Sequence, residues 1–148
     1  MAVLNQTSVT SKVNLIDARG PRFSAVITTI VLATALVTQS AVLIAIQLVV
    51  FAIGAFAGPA KTPYAFVFKK FVKPRLKGAV PTEDARPPQF AQSVGLIFAV
   101  VALAGSLLSI PALFTIAVSF ALFAAFLNAA FNFCLGCEIY LLALRAVK

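Results

Sequence analysis

Two long stretches without a charged side chain limit what this chain can fold into. One extends from Phe23 to Ala60 and the other from Pro87 to Cys137. A helix needs about 20 apolar residues to cross a bilayer core of about 30 Å, so each stretch is too long for one crossing and suits two. The sequence therefore predicts an all-α membrane protein with four transmembrane helices, arranged as two tandem helical hairpins with short interfacial helices.

The composition excludes a soluble domain. Of the 148 residues, 61% are hydrophobic and 11% are charged, whereas soluble domains have about 25% charged residues. The N-terminal segment is mixed and polar, and it lacks the apolar core of a secretory signal peptide. We interpret residues 1–16 as a short cytoplasmic tail at the membrane surface.

Membrane topology explains the net charge of +8. Lys and Arg lie before the first apolar stretch, between the two stretches and at the C-terminal end, whereas both predicted outer turns lack them. Because Lys and Arg concentrate in cytoplasmic loops, this distribution predicts a multi-pass protein of the bacterial inner membrane with both termini in the cytoplasm. Membrane lipids are the expected partners of these cations, and nucleic acid is not.

Local signals place the turns and an interfacial helix. The polar residues 38–40 predict the first outer turn, and residues 105–111 predict the second. Thr62 suits a helix N-cap and Pro63 a first helical turn, which predicts an interfacial helix over residues 62–74. One face of that helix is apolar (Tyr64, Val67, Phe68, Phe71, Val72), and the other directs Lys69, Lys70 and Lys73 to lipid head groups or a partner. A solvated basic loop is the alternative, and residues 75–89 are predicted to form an extended linker.

The pattern Asp-Ala-Arg-x-Pro-x-Phe occurs twice, at residues 17–23 and 84–90, each time just before a predicted hairpin. It divides the chain into a tail (1–16), a first hairpin repeat with its interfacial helix (17–77), and a linker with a second hairpin repeat (78–148). Both copies enter from the same side, which predicts a parallel pseudo-twofold. Arg19 and Arg86 of the pattern are candidates to bind lipid phosphate or a partner carboxylate, and a sharper hypothesis has one of them stabilise a cysteine thiolate.

Cys134 and Cys137 are the two cysteines of the chain, and their spacing places both on one helix face. The predicted fourth helix reaches Phe133, so the pair lies at a helix C-terminus, where the dipole disfavours a thiolate. Gly136 permits the helix to end within the motif. Four interpretations stay open: thiol–disulfide or persulfide chemistry, half of a metal site shared with a second copy, inert packing, and lipid attachment.

Other polar groups close to the motif are candidate site residues. Glu138 could accept a proton from either thiol or sit in the head-group layer. Asn128 and Asn132 are one helical turn apart inside the membrane, where such groups usually bind a neighbouring helix, and Gln47 is a candidate partner. The chain has no His, which excludes a Ser-His-Asp triad, and the sequence predicts no cofactor and no metal site within one chain.

The residues before the first and third spans (Arg-Gly-Pro-Arg-Phe and Arg-Pro-Pro-Gln-Phe-Ala-Gln) and the segment Phe131–Tyr140 together resemble a family of bacterial integral membrane proteins, domain of unknown function 4395. The resemblance covers nearly the whole chain from Asp17 onward. The family is frequent in actinobacteria, and its genes often lie near thioredoxin-like or rhodanese-type genes. The resemblance therefore implies four spans and thiol or sulfur metabolism, and it supplies no catalytic residues.

These observations lead to two functional hypotheses. In the first, Cys134 and Cys137 carry out thiol–disulfide or sulfur-relay chemistry at the cytoplasmic face with a soluble thioredoxin-like or rhodanese-type protein, and Glu138 accepts a proton. In the second, the chain is a non-enzymatic membrane subunit or assembly factor of a homo-oligomer or larger complex, and its cysteines only pack or share a metal. Whether the chain is an enzyme is not decided by the sequence.

Overall fold

The structure is a computed structural model that describes residues 15–76 and 82–147. Two short strands and six α-helices make up most of this part of the chain. The strands are β1 (Leu15–Asp17) and β2 (Thr82–Asp84), and the helices are α1 (Arg19–Thr38), α2 (Ala41–Phe56), α3 (Pro63–Val67), α4 (Arg86–Leu107), α5 (Pro111–Phe131) and α6 (Leu135–Val147). An all-α, membrane-like fold therefore agrees with the sequence prediction.

The four long helices α1, α2, α4 and α5 form a bundle in which the two predicted repeats interlock. Helix α2 packs most extensively along α4, and α1 packs most extensively along α5. Leu32, Ile44, Phe114 and Val118 are almost fully buried at the centre of the bundle. Alanines between these large side chains let the helices approach closely, as is usual in membrane bundles. The packing between the repeats is thus the main source of the core.

Three helices have the length and apolar composition to cross a membrane: α1, α4 and α5, with 20, 22 and 21 residues. Helix α2 is also apolar but has 16 residues. At 1.5 Å per residue its length is about 24 Å, somewhat less than the thickness of a bilayer core. Helix α2 is therefore slightly shorter than the about 20 residues that a full crossing needs.

Turns lie at both predicted positions, residues 38–40 and 105–111. Helix α1 ends at Thr38, Gln39 adopts a left-handed conformation (φ 53°), and the Ser40 hydroxyl accepts a hydrogen bond from the Leu43 N–H at 3.2 Å. This is an N-cap that satisfies one free N–H of α2. Helices α1 and α4 begin at Arg19 and Arg86, the arginines of the repeat pattern.

The predicted interfacial segment is helical, but only some side chains of its predicted apolar face are buried. The Thr62 hydroxyl accepts from the Ala65 N–H at 3.2 Å, which confirms the N-cap. After α3, residues Phe68–Val72 form a π-helical turn and Lys73–Arg75 a 3₁₀ turn. The wider π-turn changes the angular spacing of side chains, so Phe68 is buried while Phe71 is exposed.

Strands β1 and β2 pair antiparallel, with Leu15 opposite Asp84 and Asp17 opposite Thr82. The sequence analysis predicted no strand, and its linker over residues 75–89 was wrong at its C-terminal end, where β2 and the first turn of α4 lie. Most of the predicted tail, residues 1–14, lies outside the described residues, as do linker residues 77–81. The strand pair joins the two segments that lead into the two copies of the Asp-Ala-Arg-x-Pro-x-Phe pattern.

A buried polar cluster ties α1, α2 and α3 together. Gln47 is completely buried; the Tyr64 hydroxyl donates to its Oε1 at 2.8 Å, and its Nε2 donates to the Thr28 hydroxyl at 3.5 Å. Burial also raises the pKa of Tyr64. Gln47 thus bonds across helices to Thr28 and Tyr64, and its hydrogen bonds among the described residues do not include the candidate partners Asn128 and Asn132.

Candidate functional site

The two cysteines open a helix. Helix α5 ends at Phe131 because Asn132 adopts a left-handed conformation (φ 54°) and its N–H bonds back to the Asn128 and Leu127 carbonyls. Helix α6 begins at Leu135, so Cys134 directly precedes it. The predicted continuation of the fourth helix to Phe133 was therefore wrong, and the pair lies at a helix N-terminus and not at a C-terminus.

Cys134 has the geometry of an N-cap residue. Its Sγ accepts a hydrogen bond from the Cys137 N–H at 3.1 Å, and its carbonyl accepts from the Glu138 N–H at 3.1 Å. Partial positive charge accumulates at a helix N-terminus and stabilises an anion there. Cys134 therefore occupies the position, at a helix N-terminus, at which many redox motifs have their reactive cysteine.

Cys134 and Cys137 form a disulfide, with their Cα atoms 5.2 Å apart. Both residues are partly exposed. The two cysteines, which the sequence analysis placed on one helix face, are thus bonded to each other through their sulfur atoms. A disulfide that is accessible to a second thiolate can undergo exchange.

Gly136, between the cysteines, is a packing residue. It is buried in α6 against α4, and a Cβ added at this position would lie 2.6 Å from the Ala91 Cβ and 2.8 Å from its Cα. No side chain fits into that space. The Phe90 and Tyr140 rings, 5.5 Å apart, extend the same contact. The sequence analysis assigned Gly136 to a helix end, and only tertiary packing reveals its role.

A cavity of about 430 Å³ lies beside the disulfide, between α1, α4, α5 and the start of α6. Such a volume falls within the range of small-molecule sites. Both cysteines and Glu138 line it. Polar side chains of α1, α4 and α5 also line it, namely Ser24, Thr28, Gln92 and Asn128. Its apolar lining includes alanines and phenylalanines: Ala25, Phe51, Ala91, Phe98, Ala121, Ala124 and Ala125. The cysteines thus line a half-open cavity with both polar and apolar walls.

Gln92 has an unmet hydrogen-bonding capacity. Its side chain lies in the notch left by Gly54 of α2, where a Cβ would be 2.7 Å from the Gln92 Cδ. Its Oε1 is buried and has no hydrogen-bond partner among the described residues. A buried acceptor without a donor costs about 1–3 kcal/mol.

Arg22 is a site residue that the sequence analysis treated only as a topology signal. Its Nε donates to the Ala129 carbonyl at 3.1 Å and its Nη2 to the Ala130 carbonyl at 3.4 Å. These carbonyls belong to the last turn of α5, where a cation is favourable. Arg22 also lines the cavity, whereas Arg19 and Arg86 do not.

The repeat pattern forms the same ion pair at both of its copies. The Arg19 Nη2 lies 2.8 Å from the Asp17 Oδ2, and the Arg86 Nη2 lies 2.6 Å from the Asp84 Oδ2. The backbone N–H of each arginine also donates to the same carboxylate at 3.0 Å, which satisfies the first free N–H of the following helix. Each of these two guanidinium groups thus already binds one carboxylate. That Arg19 and Arg86 also bind lipid or a partner stays a prediction.

These contacts shift the pKa of both carboxyl groups. The hydrogen bond from Arg19 lowers the pKa of Asp17 more than partial burial raises it, and Lys73, 3.7 Å away, adds to the lowering. Burial raises the pKa of Asp84, but the hydrogen bonds and charge of Arg86 outweigh it, so this pKa is also lowered. Both carboxyl groups are therefore ionised at neutral pH.

The lysines of the interfacial segment differ in their contacts. Lys69 Nζ donates to the Ala60 carbonyl at 3.0 Å, and Lys70 Nζ lies 5.6 Å from the centroid of the Phe66 ring. Lys73 contacts Asp17. Lys69 and Lys70 are exposed, and their binding to lipid or a partner stays a prediction.

The model of one protein family, domain of unknown function DUF4395, matches residues 16–145. The chain belongs to this family. The match spans both copies of the repeat pattern and the cysteine motif, which confirms the resemblance found in the sequence. No significant match to the chain was found among curated proteins or among solved structures.

Proposed function

We propose that this DUF4395 protein exchanges thiols and disulfides with a soluble thioredoxin-like or rhodanese-type protein at the cytoplasmic face of the bacterial inner membrane. The observation that carries the proposal is the Cys134–Cys137 disulfide at the N-terminus of α6. It combines a partly exposed disulfide with a helix terminus that stabilises the thiolate produced on reduction.

The membrane part of the proposal includes α2 as a fourth span. Its outward-facing side chains Val42, Ile46 and Val49 are between 51% and 69% exposed, and they form a stripe at helical spacing that suits contact with lipid. The slightly short helix can be accommodated by local thinning of the bilayer. The excess of Lys and Arg outside the four helices supports cytoplasmic termini.

The exchange takes place in two steps. A thiolate of the partner attacks the Cys134 Sγ, which forms a mixed disulfide and releases Cys137 as a thiolate that takes up a proton. The second thiolate of the partner then attacks the partner's first sulfur atom in the mixed disulfide. This forms a disulfide within the partner and releases Cys134 as a thiolate. The partner is oxidised by two electrons, and the Cys134–Cys137 pair is reduced by two.

The helix N-terminus supports this direction of exchange. Cys134 leaves in the second step, and a thiolate that is stabilised leaves faster. Stabilisation of the reduced form also makes a disulfide a stronger oxidant. Glu138, which lines the same cavity, is proposed to accept the proton of the partner's attacking thiol and to pass it to the Cys137 thiolate. The pair is therefore proposed to oxidise its partner and not to reduce it.

A direct test mixes the purified oxidised protein with a reduced bacterial thioredoxin and counts the thiols of each by mass-tagging. The proposal expects one thioredoxin oxidised for each Cys134–Cys137 pair reduced. The Cys137→Ser variant, reduced and offered oxidised thioredoxin, should accumulate a mixed disulfide through Cys134, and the double serine variant should not. No exchange over hours with the wild-type protein would contradict the proposal.

A second candidate function is structural. The disulfide closes the first turn of α6, and Gly136 fixes that turn against Ala91 of α4. These contacts would suit a membrane subunit whose α6 presents an apolar surface, with Ile139, Leu142 and Leu144 each about half exposed. Under this alternative, replacing both cysteines with serine changes assembly or stability, and no thiol exchange is found.

A further inference from the structure

The cavity beside the disulfide suits a flat, lipid-soluble electron acceptor. We propose that it binds the head group of a quinone, which takes two electrons from the reduced Cys134–Cys137 pair. This inference rests on the proposed thiol exchange, because it supplies the step that restores the disulfide. It goes further by naming the class of molecule that occupies the cavity.

The pair needs an electron acceptor from outside the chain. Each exchange with a partner leaves Cys134 and Cys137 reduced, and the chain has two cysteines in total, so no second disulfide within it can take the electrons. Both cysteines line the half-open cavity between the helices of the bundle. Among electron carriers that dissolve in the membrane, quinones accept two electrons together with two protons.

The walls of the cavity are apolar where a ring would lie. Phe51 comes from α2, Phe98 from α4, and alanines of α1, α4 and α5 fill the rest. The Phe51 ring is held in place by Gly95, where a Cβ would lie 2.7 Å from it. A volume of about 430 Å³ is sufficient for a one- or two-ring head group, while its isoprenoid tail stays in lipid.

Polar groups at the cavity match the two oxygen atoms of a quinone. Thr28 on α1, Gln92 on α4 and Asn128 on α5 line it, so hydrogen-bonding groups come from three sides. Their amide N–H and hydroxyl groups can donate to quinone carbonyls. The side-chain oxygens of Thr28 and Asn128 can also accept from the O–H of the hydroquinone product.

The electrons and protons balance in this step. The two thiols give up two electrons and two protons, and the bond between Cys134 and Cys137 forms. The quinone takes up the two electrons and two protons and becomes a hydroquinone. Glu138 at the cavity passes protons between the sulfur atoms and the quinone oxygens. The hydroquinone then leaves to the lipid phase.

The test uses the full chain in detergent, reduced and freed of reductant, with a short-chain ubiquinone whose ring is fully substituted and cannot be arylated by thiols. The loss of quinone absorbance and the loss of thiols are measured together. The variant Ala124→Phe places a large side chain in the cavity wall, and Ala130→Phe, on the exposed side of the same helix and outside the cavity lining, is its matched control.

The wild-type protein and Ala130→Phe should convert one quinone for each pair of thiols, and Ala124→Phe should be at least tenfold slower. All three should exchange with thioredoxin at similar rates, so that failure of the cavity proposal is distinguished from failure of the proposed function. Equal rates of quinone reduction in Ala124→Phe and the wild type, or normal thioredoxin exchange without any quinone reduction, would overturn the inference. Cross-linking of an azido-ubiquinone to the double serine variant should label α1, α4, α5 or the start of α6, and labelling confined to other segments would also overturn the inference.

Discussion

Gly136 and Ala91 bring α6 and α4 so close together that no side chain fits at position 136, since an added Cβ would lie 2.6 Å from the Ala91 Cβ. Cys134 and Cys137 lie on either side of this contact. The position of the disulfide therefore depends on the packing of one glycine. Any change that separates the two helices at this point should alter both stability and thiol reactivity.

We expect Gly136→Ala to destabilise the protein by about 1–3 kcal/mol, the usual cost of inserting a methyl group into a packed contact. Gly20→Ala is a matched control, since a Cβ at Gly20 would meet the Phe68 ring at an ordinary 3.7 Å. Thermal unfolding in detergent measures both. Ala91→Gly should not rescue Gly136→Ala, because the Ala91 Cα would still lie 2.8 Å from the new methyl group. Equal stability of the two alanine variants would show that α6 does not pack as described.

The single cysteine variants should differ in reactivity. Cys137→Ser keeps the thiol at the N-terminus of α6, where an anion gains about 0.3–1 kcal/mol, and Cys134→Ser leaves the thiol within the first turn. We expect Cys134 to react with a maleimide at pH 6 to 7 about two- to fivefold faster than Cys137. The comparison should be made in the same detergent, with unfolded protein as a reference for intrinsic reactivity. A faster Cys137 would contradict the assignment of Cys134 as the stabilised thiolate.

The ion pairs of the repeat pattern should make stability depend on acid pH. Asp17 and Asp84 have lowered pKa values in the folded state, so their contribution is fully present above their unfolded pKa of about 4. It is lost as the pH falls through the lower folded values. We expect the thermal midpoint to be constant from pH 7 to 5 and to fall below about pH 4.

The variant Asp17→Asn with Asp84→Asn should be less stable at pH 7 and should lose less stability on acidification. Glu138→Gln, which leaves both ion pairs in place, is the control and should keep the acid-dependent loss. A double variant with the pH profile of the wild type would show that the pairs do not stabilise the fold.

The parts of the fold that depend on local sequence could be predicted. The turn at Gln39 follows from a polar break in an apolar stretch, and the Thr62–Pro63 helix start follows from capping preferences. The ends of α1 and α5 were placed within a few residues. The repeat pattern was recognised, although the Asp–Arg ion pair within it was not, because the residue spacing alone does not show which side chains meet.

The parts that depend on tertiary structure could not be predicted. Asn132 ends α5 by adopting a left-handed conformation that asparagine tolerates but does not require, so the helix N-terminus at Cys134 was missed. The pairing of β1 with β2 joins segments far apart in the sequence. The cavity exists only after three helices from both repeats assemble, and Arg22 and Gln92 become site residues only there.

The most direct test of the central claim is labelling of Cys134 and Cys137 with a membrane-impermeant maleimide, in intact cells and in inside-out vesicles. The labelling is measured after reduction and again after mild oxidation. We expect labelling only in inside-out vesicles, and reversible protection of both cysteines by oxidation. Labelling from the outside of intact cells, or no labelling of the reduced protein without detergent, would contradict a cytoplasm-facing, exchangeable disulfide.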